Sequence, residues 1–291
     1  MNTIDYLFGS QAHLFWPGVV TAVLVGVLGA VLSPLVVLKR MAFIGQGVSH
    51  AAFGGVGLGL ALGLGGPTLA GQSGLAAVVL AFSIAAALGI AWLSDKPQTK
   101  PDTAIGIVLA ASMAGGFVLY RLAGDRFAAG QIGSRPPDLH AVLFGDVLAA
   151  TWGSAGLAAG VLAMVLIVLW WTRRWMLFWG FDESASRAFG VDAGRTRAVL
   201  LVLLAVSVVV AVNLAGIVLA TALFVLPGAI ALSRTDGLSR VWAWSVVASV
   251  VATVLGLIVS FEADLVAGPS VVLAMAGVFV VARVVPRGPG V

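Results

Sequence analysis

The sequence predicts an all-α polytopic membrane protein, and three observations carry that prediction. Of 291 residues, 60% are hydrophobic and only 10% are charged, whereas soluble domains carry about 25% charged residues. No Asp, Glu, Lys or Arg occurs within 6–38, 41–94, 103–120, 147–172, 198–233, 241–261 or 265–282, and each run approaches or exceeds the roughly 18–20 residues a helix needs to cross a bilayer. The runs are continuous Leu, Val, Ala and Gly. A membrane β-barrel would instead alternate apolar and polar residues in segments of about ten.

The runs translate into about eight or nine transmembrane helices, one or more of them broken. The expected spans lie near 14–38, 42–62, 74–94, 103–121, 149–172, 198–213, 216–233, 241–260 and 266–284. Run 41–94 is too long for one crossing, and Gly63–Gly66 with Pro67 divide it. Run 198–233 is divided at Asn213–Gly216, and Pro227–Gly228 form a second interruption. Its 36 residues are few for two full crossings and a turn, so a broken helix packed in protein or lining a cavity is expected there. The first residues, MNTIDYLFGSQAHLFWPG, carry no Lys or Arg and place Asp5 where a signal peptide needs positive charge. A cleaved signal is not expected.

Charge supplies the orientation. Nine crossings put Lys39, Arg40, Lys96, Lys100, Arg173, Arg174, Arg187, Arg195, Arg197, Arg234, Arg240, Arg283 and Arg287 on one side. Only Arg121, Arg126 and Arg135 fall on the other. The positive-inside rule makes the first side cytoplasmic, the N-terminus external and the C-terminus internal. A net charge of +4 therefore reports topology rather than nucleic-acid binding. Zero Cys excludes disulfides, thiolate metal ligands and iron–sulfur centres.

No soluble catalytic module fits. None of the three Lys residues follows a phosphate-loop pattern, so nucleotide hydrolysis is not expected of this chain. The longest cytoplasmic loop, 173–197, contains a candidate amphipathic helix over Phe181–Gly190. Asp182 is placed to cap it, Glu183 lies in its first turn, Arg187 follows, and Gly190 ends it. It reads either as an interfacial helix with Trp175 and Trp179 at the membrane surface, or as a docking helix for a cytoplasmic partner.

A second candidate lies on the helix after Arg40. Gln46 and His50 are four residues apart and share one face. About ten residues of helix put His50 roughly 15 Å deep, where a titratable group is costly and is by default a functional candidate. Imidazole is the commonest divalent-metal ligand; a neutral histidine bonded across a helix interface is the alternative. Gly54, Gly55, Gly57 and Gly59 predict a close-packed face. His13 and His140 fall in external segments. Glu262 and Asp264 form an external acidic turn, either simply exposed or a rim that attracts cations or a partner.

Six stretches, in order, resemble the membrane permeases of metal-type ABC importers, which move zinc, manganese or iron. They are KRMAFIGQGVSHAAFGGVGLG (39–59), DTAIGIVLAASMA (102–114), LFGDVLA (143–149), FDESASRAFGV (181–191), AGIVLATALFVLPGAIAL (215–232) and DLVAGPSVVL (264–273). The resemblance implies a single permease domain over 1–291 in a cell membrane, with no cofactor of its own and a divalent metal ion as cargo. It also implies a second permease copy, two cytoplasmic ATPase subunits and an external metal-binding lipoprotein. His50 matches a histidine of the family's intramembrane metal site, and 181–191 matches the segment that docks into the ATPase. Gln46 stands where family members often have Asp; its amide oxygen can bind a hard cation, with one negative charge fewer. Two other classes compete with this reading. A gradient-driven transporter needs intramembrane carboxylates, which the long runs lack; a structural subunit would use His50 for packing.

Overall fold

Backbone in a bilayer must satisfy its own hydrogen bonds, and long apolar runs do so as helices. The computed structural model describes residues 12–64, 69–96, 98–128, 147–181, 190–235 and 237–285. In chain order the helices are α1 Ala12–Leu38, α2 Ile44–Ala61, α3 Leu69–Ser94, α4 Pro101–Ala128, α5 Trp152–Phe181, α6 Ala193–Leu223, α7 Leu226–Arg234, α8 Leu238–Ala263 and α9 Ala267–Val284. A short 3-10 turn, Val147–Ala149, precedes α5. No strand occurs among the described residues.

Seven stretches are long and apolar enough to cross a membrane. The expected span at 42–62 folds as α2 but is not among them, because its glycines with Gln46, Ser49 and His50 dilute its hydropathy. The two spans expected in 198–233 lie within one apolar stretch, Ala193–Arg234, and that stretch is broken twice.

The breaks fall where the sequence places them. After α2, Gly63 adopts a φ of 81°. The Leu64 N–H then bonds to the Gly59 carbonyl and the Gly63 N–H to that of Leu60, the pairing that closes a helix through a left-handed glycine. Within α6, Gly216 has φ 81° and ψ 165°, a conformation essentially reserved for glycine. Gly216→Ala is therefore expected to destabilise the protein by about 1–3 kcal/mol. A thermal melt of the detergent-solubilised chain reads this directly, and an unchanged midpoint would show that the kink accepts a side chain.

Packing divides the helices into two units. The first contains α1, α5, α7, α8, α9 and α6 from Val210 onward. Within it, α8 is stitched to α1 by side chains on one face. Trp242 Nε1 donates to the Val31 carbonyl at 2.9 Å, Ser245 Oγ to Ala30 at 2.7 Å and Ser249 Oγ to Gly26 at 2.8 Å. The Ala30 bond has a specific cause: Pro34 lacks the N–H that would reach back four residues to Ala30, and Ser245 supplies the missing donor. Ser33 holds the second break. Its Oγ donates to the Val225 carbonyl at 3.0 Å and accepts the Gly228 N–H at 2.8 Å, just where Pro227 removes a donor from the start of α7. Arg234 donates to the carbonyls of Ala282 and Val285, closing the end of α9.

The second unit contains α2, α3, α4 and α6 up to Val209. Here α2 is held on its glycine face. A Cβ at Gly55 would lie 2.8 Å from the Val79 Cα on α3, and one at Gly57 would lie 2.5 Å from the Gly116 carbonyl oxygen on α4. Backbones this close need small residues, so the expected close-packed face is present. Ala52, Val79 and Val209 form the core that joins α2, α3 and α6.

One boundary differs from expectation. Residues 173–181 are not loop but the last turns of α5, which runs for 30 residues, about 45 Å, and so outlasts the roughly 30 Å hydrocarbon core. Trp175 is exposed as a membrane-surface residue would be, but Trp179 is 1% exposed, with the Lys39 ammonium 4.0 Å from its ring centroid. Tertiary packing took Trp179 out of the belt role its spacing suggested.

Candidate metal site and coupling segment

The turn between α1 and α2 sets where the candidate donors sit. Arg40 takes a φ of 55°, and the Met41 N–H bonds back to the Val36 carbonyl, closing α1 before the chain turns. Helix α2 begins only at Ile44. His50 therefore lies six residues into the helix, about 9 Å from its start.

Nearly all of α2 is buried, including Ile44, Val48, Ser49, Ala51, Phe53 and Leu60. Towards its far end Val56, Leu58 and Ala61 are partly covered, and at its start one stripe is open: Phe43 and Gln46 are exposed, and His50 is half-buried. The i, i+3, i+7 spacing puts these three on one face. Ser49, the adjacent hydroxyl, is already committed, donating to the Gly45 carbonyl at 2.7 Å. Among the described residues neither the Gln46 nor the His50 side chain makes a hydrogen bond. The sequence did not single out Phe43; its spacing from Gln46 and His50 was the available signal.

A complete coordination sphere is not built here. Among the described residues no three His, Asp or Glu side chains converge to hold a metal ion. His50 and Gln46 offer one imidazole nitrogen and one amide oxygen, two of the four to six donors that a transition-metal ion takes. His13 is exposed at the start of α1, and Glu262 and Asp264 are exposed at the α8–α9 turn. All three belong to the first unit, whereas His50 belongs to the second. His140 lies outside the described residues.

Comparison with known proteins decides the class of this architecture. The family model described as the ABC 3 transport family matches residues 11–286. The chain belongs to the ABC 3 transport family. It is a multi-pass membrane transport protein.

Relatives within this family span nearly the whole chain. It is 28% identical over 272 residues to the manganese transport system membrane protein MntC of Listeria monocytogenes, covering 94% of this chain and 90% of the relative. It is 30% identical over 267 residues to the chelated iron transport system membrane protein YfeD of Yersinia pestis, covering 91% and 83%. Among solved structures it resembles PsaBC from Streptococcus pneumoniae in complex with Fab. That match has a TM-score of 0.77 and 28% identity, covering 98% of this chain and 95% of the other.

The second candidate segment, 181–191, is bounded on both sides by well-formed structure. Asp182, Glu183 and Arg187 lie outside the described residues. Phe181 is the last residue of α5, and Gly190 has a φ of 76°. Asp192 then caps α6, its carboxylate accepting the Arg195 N–H at 3.1 Å. Two residues further on, Arg197 pairs with Asp95 just beyond α3. The first turn of α6 is thus fastened to the end of α3.

Proposed function

We propose that this chain is the permease subunit of an ATP-driven importer for a divalent transition metal. Residues 1–291 act as one permease domain, with the N-terminus outside and the C-terminus in the cytoplasm. Separate cytoplasmic ATPase subunits hydrolyse the nucleotide, and an external lipoprotein delivers the ion. Manganese and iron are the cargoes named for its relatives, and zinc belongs to the same class of ions for an imidazole site.

The observation that carries this reading is the open stripe at the start of α2, where the Gln46 and His50 side chains are unbonded among the described residues on a mostly buried helix. One chain supplies half a site. A second copy related by a twofold axis would bring another His50 and Gln46, making two nitrogens and two oxygens. Such a set, without a carboxylate, would hold an ion loosely, as suits a path the ion must also leave.

Coupling follows the chain. Force received at 181–190 enters α6, whose Val209 packs with Ala52 of α2, two residues from His50. Closure of the ATPases would reach the ion site through that contact.

The test is transport by the permease reconstituted with its ATPase and lipoprotein in vesicles, with manganese, iron and zinc in competition. ATP-dependent accumulation of at least one ion is expected. Accumulation driven by a proton or sodium gradient without ATP would reverse the assignment.

A further inference from the structure

We propose that a groove on the first unit, walled by α5 and α8 and floored by α1, binds an anionic phospholipid. The groove is about 840 Å³. Its base is apolar and closed: Leu35 of α1 is 1% exposed and Met176 of α5 is 2% exposed. The α8 wall is held rigid, because Trp242, which lines it, is bonded to the Val31 carbonyl. Along α5 the lining runs from Leu166 to Leu177, about 16 Å, close to the depth of one leaflet of a roughly 30 Å core.

The groove does not stop at apolar wall. Arg173 and Trp170 line it and also line an adjoining pocket of about 350 Å³ shared with Trp171 and Arg174. The Arg173 guanidinium stacks 4.4 Å from the Trp170 ring centroid, which orients it at the junction. Both arginines are exposed, and among the described residues neither is paired with a carboxylate. An apolar slot thus carries on its α5 side two exposed guanidinium groups flanked by tryptophans, with no carboxylate paired to them among the described residues. A fatty chain fits the slot, and a headgroup phosphate fits the arginines, which match it with bidentate donors.

The other occupants fit less well. Free phosphate has no use for the apolar floor. A second copy of the chain seated here would have to desolvate Arg173, which is costly unless a carboxylate meets it. An anionic lipid meets both halves, and basic pockets between membrane helices are where such headgroups are held.

Native mass spectrometry of the full purified chain tests this. Phosphatidylglycerol and phosphatidylcholine of identical acyl chains are added to wild type, to the Arg173→Gln/Arg174→Gln double variant and to Ala243→Trp. Ala243 is exposed and lines the groove, so tryptophan fills the slot while both arginines remain. Wild type should retain phosphatidylglycerol over phosphatidylcholine by about 25-fold, near fivefold for each arginine. The double variant should lose that preference. Ala243→Trp, folded and monodisperse, should lose retention of both lipids. Equal retention of the two lipids by wild type would overturn the proposal. So would complete displacement of phosphatidylglycerol by inorganic phosphate, or a double variant that keeps its lipid preference but loses dimers.

Discussion

His50→Ala abolishes metal-dependent growth and lowers ATP-driven uptake by the reconstituted complex by about 100-fold or more, the scale expected when a metal site is compromised. The permease still assembles with its partners, because His50 is only half-buried and makes no hydrogen bond whose loss would strand a buried group. Removing the imidazole also leaves the glycine face of α2 intact, since Gly55 and Gly57 meet α3 and α4 through backbone. Two readouts separate function from folding: copurification of the ATPase, which should be unchanged, and uptake of the radiolabelled ion, which should vanish. Wild-type uptake by the variant would remove His50 from the path. Loss of uptake together with loss of assembly would instead assign it a packing role.

The second large effect is expected at the coupling segment. Glu183→Ala and Arg187→Ala should each reduce uptake by about 30-fold, the effect of removing an interfacial anchor. Metal binding by the permease should stay unchanged, because both substitutions leave the donors on α2 in place. The ATPase should copurify weakly, or copurify with a turnover that no longer responds to the metal-loaded lipoprotein. The physical reason lies in how the segment is mounted. It enters from the last turn of α5, leaves through a left-handed glycine at Gly190, and passes into a helix fastened by the Asp192 cap and the Arg197–Asp95 pair. Unaltered ATPase binding and metal-stimulated turnover in both variants would detach this segment from coupling.

Much of the fold was legible because its causes are local. A run without charge becomes a helix because each of its own residues favours the bilayer and each of its peptide groups needs a partner. The interruptions at Gly63, Gly216 and Pro227 were legible for the same kind of reason: a missing Cβ or a missing N–H acts wherever the residue sits. The end of α5 was not legible in this way. Arg173 and Arg174 read as the start of a loop, yet the helix continues to Phe181, because Trp179 finds a buried place and Lys39 covers its ring. The turn at Arg40 takes up four residues before α2 begins, so His50 lies nearer the start of its helix than a count from Arg40 gives.

By itself, the sequence determined that this is a helical membrane protein with few interior polar groups, and that Gln46 and His50 share a helix face. Those properties belong to single residues and to the 3.6-residue period. Only the tertiary structure decided which face that is. Glycine contacts with α3 and α4 bury most of α2 and leave the Phe43–Gln46–His50 stripe uncovered, while Ser49, one residue away, is turned inward and bonded. Whether a donor is open or spent depends on which neighbours arrive beside it, and that is settled by packing between segments far apart in the chain.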